Sequence, residues 1–250
     1  MLLSKFTVSR LDLTTTMSDK DAGTPRVFLI RHGETEWSMS GKHTGKTDIP
    51  LTAHGESQVR STGAIAVGNS KLIDPSKIGM CWVSPRTRAQ HTFSLLFGEK
   101  QEAALREQAK VQTTEQLGEW DYGAYEGLKP AEIRELRKSK GLDTERKWDI
   151  WRDGCEDGES PDQVAARIDE LIVKIRELQG PNMNGEQPCD VVLVAHGHLT
   201  RCFAKRWLGY PLDMNLNLMM EPGGVGVLSY SHHKVDEPAL LLGIGFPAQS

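Results

Sequence analysis

Three short runs of residues carry side chains suited to the transfer of a phosphoryl group. The first is Arg31-His32-Gly33, the second contains Arg88, and the third begins with His196. A neutral imidazole nitrogen can attack phosphorus, and the phosphorylated ring is reactive enough to be hydrolysed afterwards. The planar fork of an arginine binds two phosphate oxygens at once. We therefore expect a covalent phosphohistidine on His32, with Arg31 and Arg88 as phosphate clamps and His196 as a second imidazole beside the phosphate.

Such chemistry also needs a carboxylic acid, which protonates the leaving oxygen and then serves as base for the incoming water. The glycine-bearing stretch over residues 117–127 has no clear period and is predicted to be a loop. Four acids lie in or beside it, and their residue types alone do not separate them. The candidates are Glu115, Glu119, Asp121 and Glu126.

Each of the three runs follows an apolar stretch typical of a strand covered on both faces, at residues 27–30, 78–83 and 191–195. Strands that alternate with helices indicate an α/β fold with a mainly parallel sheet. Ligands of such sheets bind beyond the carboxyl ends of the strands, so the three runs should meet at one edge. The other predicted elements are helices over residues 52–66, 86–97, 130–140, 160–175 and 199–208, and late strands over 225–230 and 240–242.

Composition narrows the classes of partner. The net charge of −4 provides no global positive field for a nucleic acid or an anionic membrane. No apolar run approaches the roughly 20 residues that span a bilayer. The four cysteines form no closely spaced pair, which is typical of reduced thiols in a cytoplasmic protein. We expect one domain over residues 25–250, preceded by a disordered extension over residues 1–24. Within that extension, residues 1–16 faintly resemble a mitochondrial targeting segment.

Taken together, the motifs resemble those of the histidine phosphatase superfamily, which includes the cofactor-dependent phosphoglycerate mutases and fructose-2,6-bisphosphatase. The resemblance covers residues 26–246. It implies a three-layer α/β/α sandwich of the phosphoglycerate mutase type, with no metal and no cofactor. It also assigns the acid/base role to Glu119 in Gly118-Glu119-Trp120-Asp121-Tyr122-Gly123. The residues that carry it elsewhere are Arg31-His32-Gly33-Glu34-Thr35-Glu36-Trp37, Ser84, Thr87-Arg88-Ala89 and His196.

Longer strings resemble the fungal sedoheptulose-1,7-bisphosphatases, among them the segment over residues 148–155 and Ala195-His196-Gly197-His198. This resemblance implies hydrolysis of the C1 phosphate of sedoheptulose-1,7-bisphosphate, with fructose-1,6-bisphosphate as the six-carbon alternative. One departure is the short segment over residues 209–222, and if it covers the sugar, substrate specificity differs. The implied substrate-binding residues are Ser38, Thr44, Gly45, Ser84, Trp120, Tyr122, Gly197, His198 and Arg201.

Specific roles are predicted for three tryptophans and for three arginines. Trp120, Trp148 and Trp151 provide flat apolar walls for a polyol chain, and Arg201 binds the distal phosphate of a bisphosphate. Arg134 and Arg137 are instead predicted to lie on a solvated helix face with internal ion pairs, unlike the paired arginines that hold glycerate in the mutases.

Two alternatives to a sugar bisphosphatase stay open. One is a bisphosphoglycerate-dependent phosphoglycerate mutase, and the other is an inactive member of the family that acts as a binding module. The intact set of His32, Arg31, Arg88, Glu119 and His196 argues against the second. The expected partner is a phosphorylated sugar, without nucleic acid or membrane, and the protein is either a monomer or a homo-oligomer.

Overall fold

The computed structural model describes residues 23–243, so that most of the predicted N-terminal extension lies outside the described residues. Six strands form one sheet with the order β3-β2-β4-β1-β5-β6. The strands are β1 (Val27–Arg31), β2 (Ile78–Val83), β3 (Val111–Thr113), β4 (Asp190–Ala195), β5 (Val225–Tyr230) and β6 (Pro238–Leu240).

The sheet is parallel where it carries the candidate site. β1 and β2 flank β4, and both pair with it in parallel, while β3 extends the parallel part beyond β2. On the other side, β5 pairs antiparallel with β1, and β6 pairs antiparallel with β5. The predicted mainly parallel sheet is confirmed, and the carboxyl ends of β1, β4 and β2 are neighbours along one edge.

Helices cover both faces of the sheet and complete the three-layer sandwich. Val27 and Leu29 of β1 belong to one apolar core, and Phe28 and Ile30 belong to the other. Alternate residues of a strand point to opposite faces, so a strand buried on both sides is apolar throughout. The helices are α1 (Glu36–Ser40), α2 (Ala53–Ala66), α3 (Thr87–Glu107), α4 (Pro130–Ser139), α5 (Ile150–Asp153), α6 (Pro161–Gln179) and α7 (Gly197–Trp207).

The two cores contain different helices. α2 and α3 supply Val59 and Phe93 to one core, whereas α6 and α7 supply Ile168 and Phe203 to the other. α6 begins at the predicted capping box, in which Ser160 accepts a hydrogen bond from the N–H of Gln163. No helix within residues 23–243 is long and apolar enough to cross a membrane.

The structure differs from the predicted elements in a few places. Gly98 leaves the helical conformation as expected, with φ of 69°, but a second helical stretch follows directly and carries α3 on to Glu107. The short helices α1 and α5 lie in segments predicted as loops or left without an element. The three-residue strand β3 is half polar and lies at the edge of the sheet, so it has no hydrophobic period to detect.

Candidate active site

The carboxyl ends of three adjacent strands bring the predicted residues together. The N–H of His32 donates to the carbonyl oxygen of Ala195 over 3.0 Å, which places the residue after β1 beside the end of β4. The ring centroids of His32 and His196 are 5.1 Å apart. Ser84, which follows β2, lies with its Oγ 2.7 Å from Nε2 of His196. The sheet topology thus joins residues more than a hundred positions apart.

His32 is held as a neutral imidazole with a defined tautomer. Its Nδ1 lies 2.7 Å from the carbonyl oxygen of Gly33, and because a carbonyl only accepts, Nδ1 carries the proton. Nε2 therefore keeps its lone pair. Burial, together with the positive charges of Arg88 and Arg31, lowers the pKa of His32 to about 3. A neutral ring with a free Nε2 is the form that can act as a nucleophile.

Arg88, His196 and Ser84 form a buried layer behind His32. Nε of Arg88 donates to Nδ1 of His196 over 3.2 Å. Its other guanidinium nitrogens donate to the carbonyl oxygens of Thr44, Gly45 and Thr47. Every guanidinium nitrogen of Arg88 thus has a protein acceptor. Arg88 can bind a phosphate oxygen only if it gives up its hydrogen bond to one of these loop carbonyls.

Arg31 differs from Arg88 because part of its guanidinium is free. Nη1 donates to the carbonyl oxygen of Met220 over 2.6 Å, while Nε is buried without a partner among the described residues. The guanidinium lies against Gly197, where a Cβ would come within 3.2 Å of Nε. A glycine at this position allows the close approach. A buried donor without an acceptor is costly, and an anion beside His32 would supply one.

Glu119 reaches the same site from the loop after β3. Its carboxylate accepts hydrogen bonds from the backbone N–H groups of His198 and Leu199 at 3.0 Å each, and from that of Trp120 at 2.9 Å. The first two donors belong to the first turn of α7, where backbone N–H groups have no acceptor within the helix. The helix that follows His196 therefore also fixes the position of Glu119.

The structure separates the four acids that the sequence left equivalent. Glu115 is exposed and pairs with Arg86, Asp121 binds Lys46, and Glu126 accepts from the backbone N–H groups of Gly45 and Thr47. Only Glu119, of these four, lines the cleft that contains His32.

This reaction cleft has a volume of about 290 Å³. Five predicted residues, Gly45, Ser84, Arg88, Trp120 and His196, are absent from its wall and lie behind it. The predicted residues on its wall are Arg31, His32, Ser38, Thr44, Glu119, Tyr122, Gly197, His198 and Arg201.

The predicted tryptophan walls are wrong in two cases of three. Trp120 is fully buried and donates from Nε1 to the carbonyl oxygen of Glu159, so it belongs to the core. Trp151 lies beneath two cations, with Cζ of Arg201 5.4 Å and Nζ of Lys205 4.3 Å from its ring centroid. Trp148 alone lines a cavity, which adjoins the reaction cleft. Sequence spacing did not separate a core tryptophan from one that lines a cavity.

Arg201 lies close to Arg31. Its Nε donates to the carbonyl oxygen of Gly197 over 2.8 Å, and its charge contributes to the lowered pKa of Arg31, after the larger effect of burial. The cation–π contact with Trp151 holds the Arg201 side chain against the indole ring. Both arginines thus face the same part of the reaction cleft.

His43 belongs to the site although it is not among the predicted site residues. Its ring lies in a stack with His198, with centroids 5.7 Å apart and planes at 15°, and it contacts Tyr122 edge-on at 4.7 Å. Nδ1 donates to the carbonyl oxygen of Leu128, and burial lowers the pKa of the ring. The hydroxyl oxygen of Tyr122 in turn lies 2.7 Å from Nδ1 of His198. Only the position of His43 directly before Thr44 could have indicated its place in the site.

The prediction for the helix after the acid loop also needs correction. Arg137 is not solvated, since it forms an ion pair with Asp143 at 2.7 Å and also donates to the hydroxyl of Tyr125. Its carboxylate partner follows the helix instead of lying on it. Arg134 has no ion pair within residues 23–243 and lines the cavity that contains Trp148.

Comparisons with known proteins agree with this arrangement. The family model described as histidine phosphatase superfamily (branch 1) matches residues 27–239. A sedoheptulose 1,7-bisphosphatase of Saccharomyces cerevisiae is 39% identical over 254 residues, covering 88% of this chain and 92% of that protein. An acid phosphatase of Mycobacterium tuberculosis is 36% identical and covers 83% of this chain and 87% of its own length.

A solved structure shares the fold. It is the product of an open reading frame of Mycobacterium tuberculosis, with a TM-score of 0.65 and 30% identity, covering 87% of this chain and 96% of that one. The family match extends over most of the chain and includes every residue of the site described above. The chain therefore belongs to the histidine phosphatase superfamily and is a phosphatase of that family.

Proposed function

We propose that this phosphatase hydrolyses the C1 phosphate of sedoheptulose-1,7-bisphosphate, and fructose-1,6-bisphosphate as a shorter analogue, through a phosphohistidine on His32. The observation that carries the proposal is the neutral His32, with Nε2 free, beside an Arg31 whose buried Nε has no partner within residues 23–243. The likeness to the yeast sedoheptulose 1,7-bisphosphatase supports the choice of substrate class.

The first step moves the phosphoryl group to the enzyme. Nε2 of His32 attacks phosphorus, the bond from phosphorus to the sugar oxygen breaks, and that oxygen takes a proton from Glu119. Arg31 and Arg201 neutralise the charge on the equatorial oxygens during this in-line displacement. Arg88 and His196 lie on the side of His32 away from the substrate and hold its ring in place. Arg88 binds the phosphate when it exchanges a hydrogen bond to a loop carbonyl for one to a phosphate oxygen.

The second step releases phosphate. The ionised Glu119 accepts a proton from water as the water oxygen attacks phosphorus, and the bond from Nε2 to phosphorus breaks. Glu119 is then protonated and His32 is neutral, as at the start. The products are inorganic phosphate and a sugar monophosphate.

Phosphate release from sedoheptulose-1,7-bisphosphate and fructose-1,6-bisphosphate tests the proposal against the mutase alternative. The same enzyme preparation is assayed for interconversion of 2- and 3-phosphoglycerate in the presence of bisphosphoglycerate. We expect hydrolysis of the sugar bisphosphates to dominate. Interconversion that exceeds hydrolysis would contradict the proposed function.

A further inference from the structure

A second cavity opens beside the reaction cleft. This outer chamber has a volume of about 430 Å³. It shares His43, Pro130 and His198 with the cleft that contains His32. The two spaces therefore adjoin, with the stacked rings of His43 and His198 where they meet.

The outer chamber is positively charged. Arg134 of α4, Lys147 and Arg152 of α5 line it, and Asp149 is the one acidic residue that the described part of the chain adds to its wall. That carboxylate accepts a hydrogen bond from the backbone N–H of Trp151 and caps α5. The excess of cations favours an anionic group in the chamber.

Three cations in or near the chamber have carboxylate partners, whereas two others that line it do not. Lys140 pairs with Glu156 at 2.8 Å, and Arg146 pairs with Asp153 at 2.7 Å, as does Arg152 at 3.0 Å. Within residues 23–243, neither Arg134 nor Lys147 has a carboxylate within ion-pair distance. These two side chains are therefore free to bind an anion.

An apolar surface lies beside these cations. Trp148 is half-buried, and its Nε1 donates to the carbonyl oxygen of Gly154 over 2.7 Å. Its ring contacts Tyr125 edge-on at 5.3 Å and lies 6.3 Å from His43. The indole is thus held in place in the wall of the outer chamber, close to its junction with the reaction cleft.

Resting on the proposed function, we propose that the outer chamber binds the distal phosphate of the sugar bisphosphate through Arg134 and Lys147. Arg201 lies beside Arg31 and serves the reacting phosphate, which replaces its predicted role at the distal one. Two positive cavities in series fit a substrate with phosphates at both ends of a carbon chain. A monophosphate occupies only the reaction cleft.

The test compares two substrates that differ only in the distal phosphate, sedoheptulose-1,7-bisphosphate and sedoheptulose 1-phosphate. Arg134→Ala and Lys147→Ala should each lower kcat/KM for the bisphosphate about tenfold, and the double variant about a hundredfold, mainly through KM. Hydrolysis of the 1-phosphate should stay unchanged. Lys138→Ala, which removes an exposed cation of α4 outside the chamber, is the matched control.

Two results would overturn the proposal, namely an equal loss on both substrates or no loss on the bisphosphate. Calorimetry of both compounds with His32→Ala protein, with and without the double substitution, measures binding apart from turnover. If the wild type releases no phosphate from either compound, the proposed function fails. The calorimetry then tests separately whether the outer chamber binds the distal phosphate. In that case the double substitution should weaken binding of the bisphosphate and leave binding of the 1-phosphate unchanged.

Discussion

Nε of Arg88 donates a hydrogen bond of 3.2 Å to Nδ1 of His196. Because a guanidinium cannot accept, Nδ1 must be the acceptor, and Nε2 of the neutral imidazole carries the proton. That N–H donates to Oγ of Ser84 over 2.7 Å. The contact links the start of α3 to the end of β4 and fixes the ring that packs against His32.

We expect Arg88→Lys to reduce turnover about 10²- to 10³-fold, since a lysine keeps the charge but cannot bind His196 and three loop carbonyls together. Arg88→Ala should also cost about 3–5 kcal/mol in the free energy of unfolding, because a buried polar network loses its centre. Phosphate release and urea unfolding measure the two effects. Arg60→Lys, at an exposed position of α2, is the control, and an Arg88→Lys enzyme within twofold of wild type would refute the assignment.

Glu119→Gln separates the acid role from simple positioning. The amide should slow hydrolysis of a sugar bisphosphate about 10²- to 10⁴-fold, because the leaving alkoxide needs a proton. It should slow formation of the phosphoenzyme from p-nitrophenyl phosphate far less, since p-nitrophenolate leaves unprotonated. Glu115→Gln is the matched control, as this acid is exposed outside the cleft. Equal losses on both substrates would remove Glu119 from the role of acid.

The lowered pKa of His32 predicts a loss of stability in acid. Burial and the nearby arginines lower its pKa from 6.5 to about 3, so at pH 5 the unfolded chain binds a proton that the folded protein does not. Stability therefore falls as the pH drops below about 6.5 and continues to fall toward about 3. Between pH 7.5 and pH 5 this group alone contributes a loss of about 2 kcal/mol.

Urea unfolding at these two pH values measures that loss. His32→Gln should reduce the difference between pH 7.5 and pH 5 by about 2 kcal/mol. His54→Gln, at an exposed position of α2, should leave the difference as in the wild type. An unchanged difference in the His32→Gln protein would show that His32 is not held neutral by the fold.

The burial of Trp120 predicts an effect on stability without an effect on substrate binding. Trp120→Phe removes the hydrogen bond to the carbonyl of Glu159 and should cost about 1–3 kcal/mol, while KM stays near its wild-type value. Trp148→Ala should instead raise KM for a sugar bisphosphate, because it removes a wall of the outer chamber. Urea unfolding and steady-state kinetics on both variants check the pair. A raised KM in Trp120→Phe would contradict this assignment and show that Trp120 contributes to substrate binding.

Much of the framework was predictable because its signals are local. The buried strands β1, β2 and β4 are continuous apolar runs, and the capping box at Ser160 marks the start of α6. The gathering of His32, Ser84 and His196 follows from parallel strands with a common carboxyl edge. These predictions needed no knowledge of how side chains pack.

The remainder depends on contacts between distant segments. Nothing local in Trp120 and Trp148 shows that one faces the core and the other a cavity. The partner of Arg137 is Asp143, which lies beyond the end of the helix and cannot be found from helical spacing. His43 enters the site because residues 41–48 fold against Tyr122 and α7, a placement that tertiary packing decides.

Trapping of the phosphoenzyme shows whether His32 carries the phosphoryl group during turnover. The enzyme is mixed with sedoheptulose-1,7-bisphosphate, quenched in alkali within the first turnovers, and digested for mass spectrometry under conditions that preserve phosphohistidine. We expect one phosphate on His32, formed in an initial burst with release of sugar monophosphate. We expect none on His32→Ala protein, which should be inactive. Turnover without a phosphorylated His32, or near-normal activity of His32→Ala, would contradict the phosphohistidine mechanism.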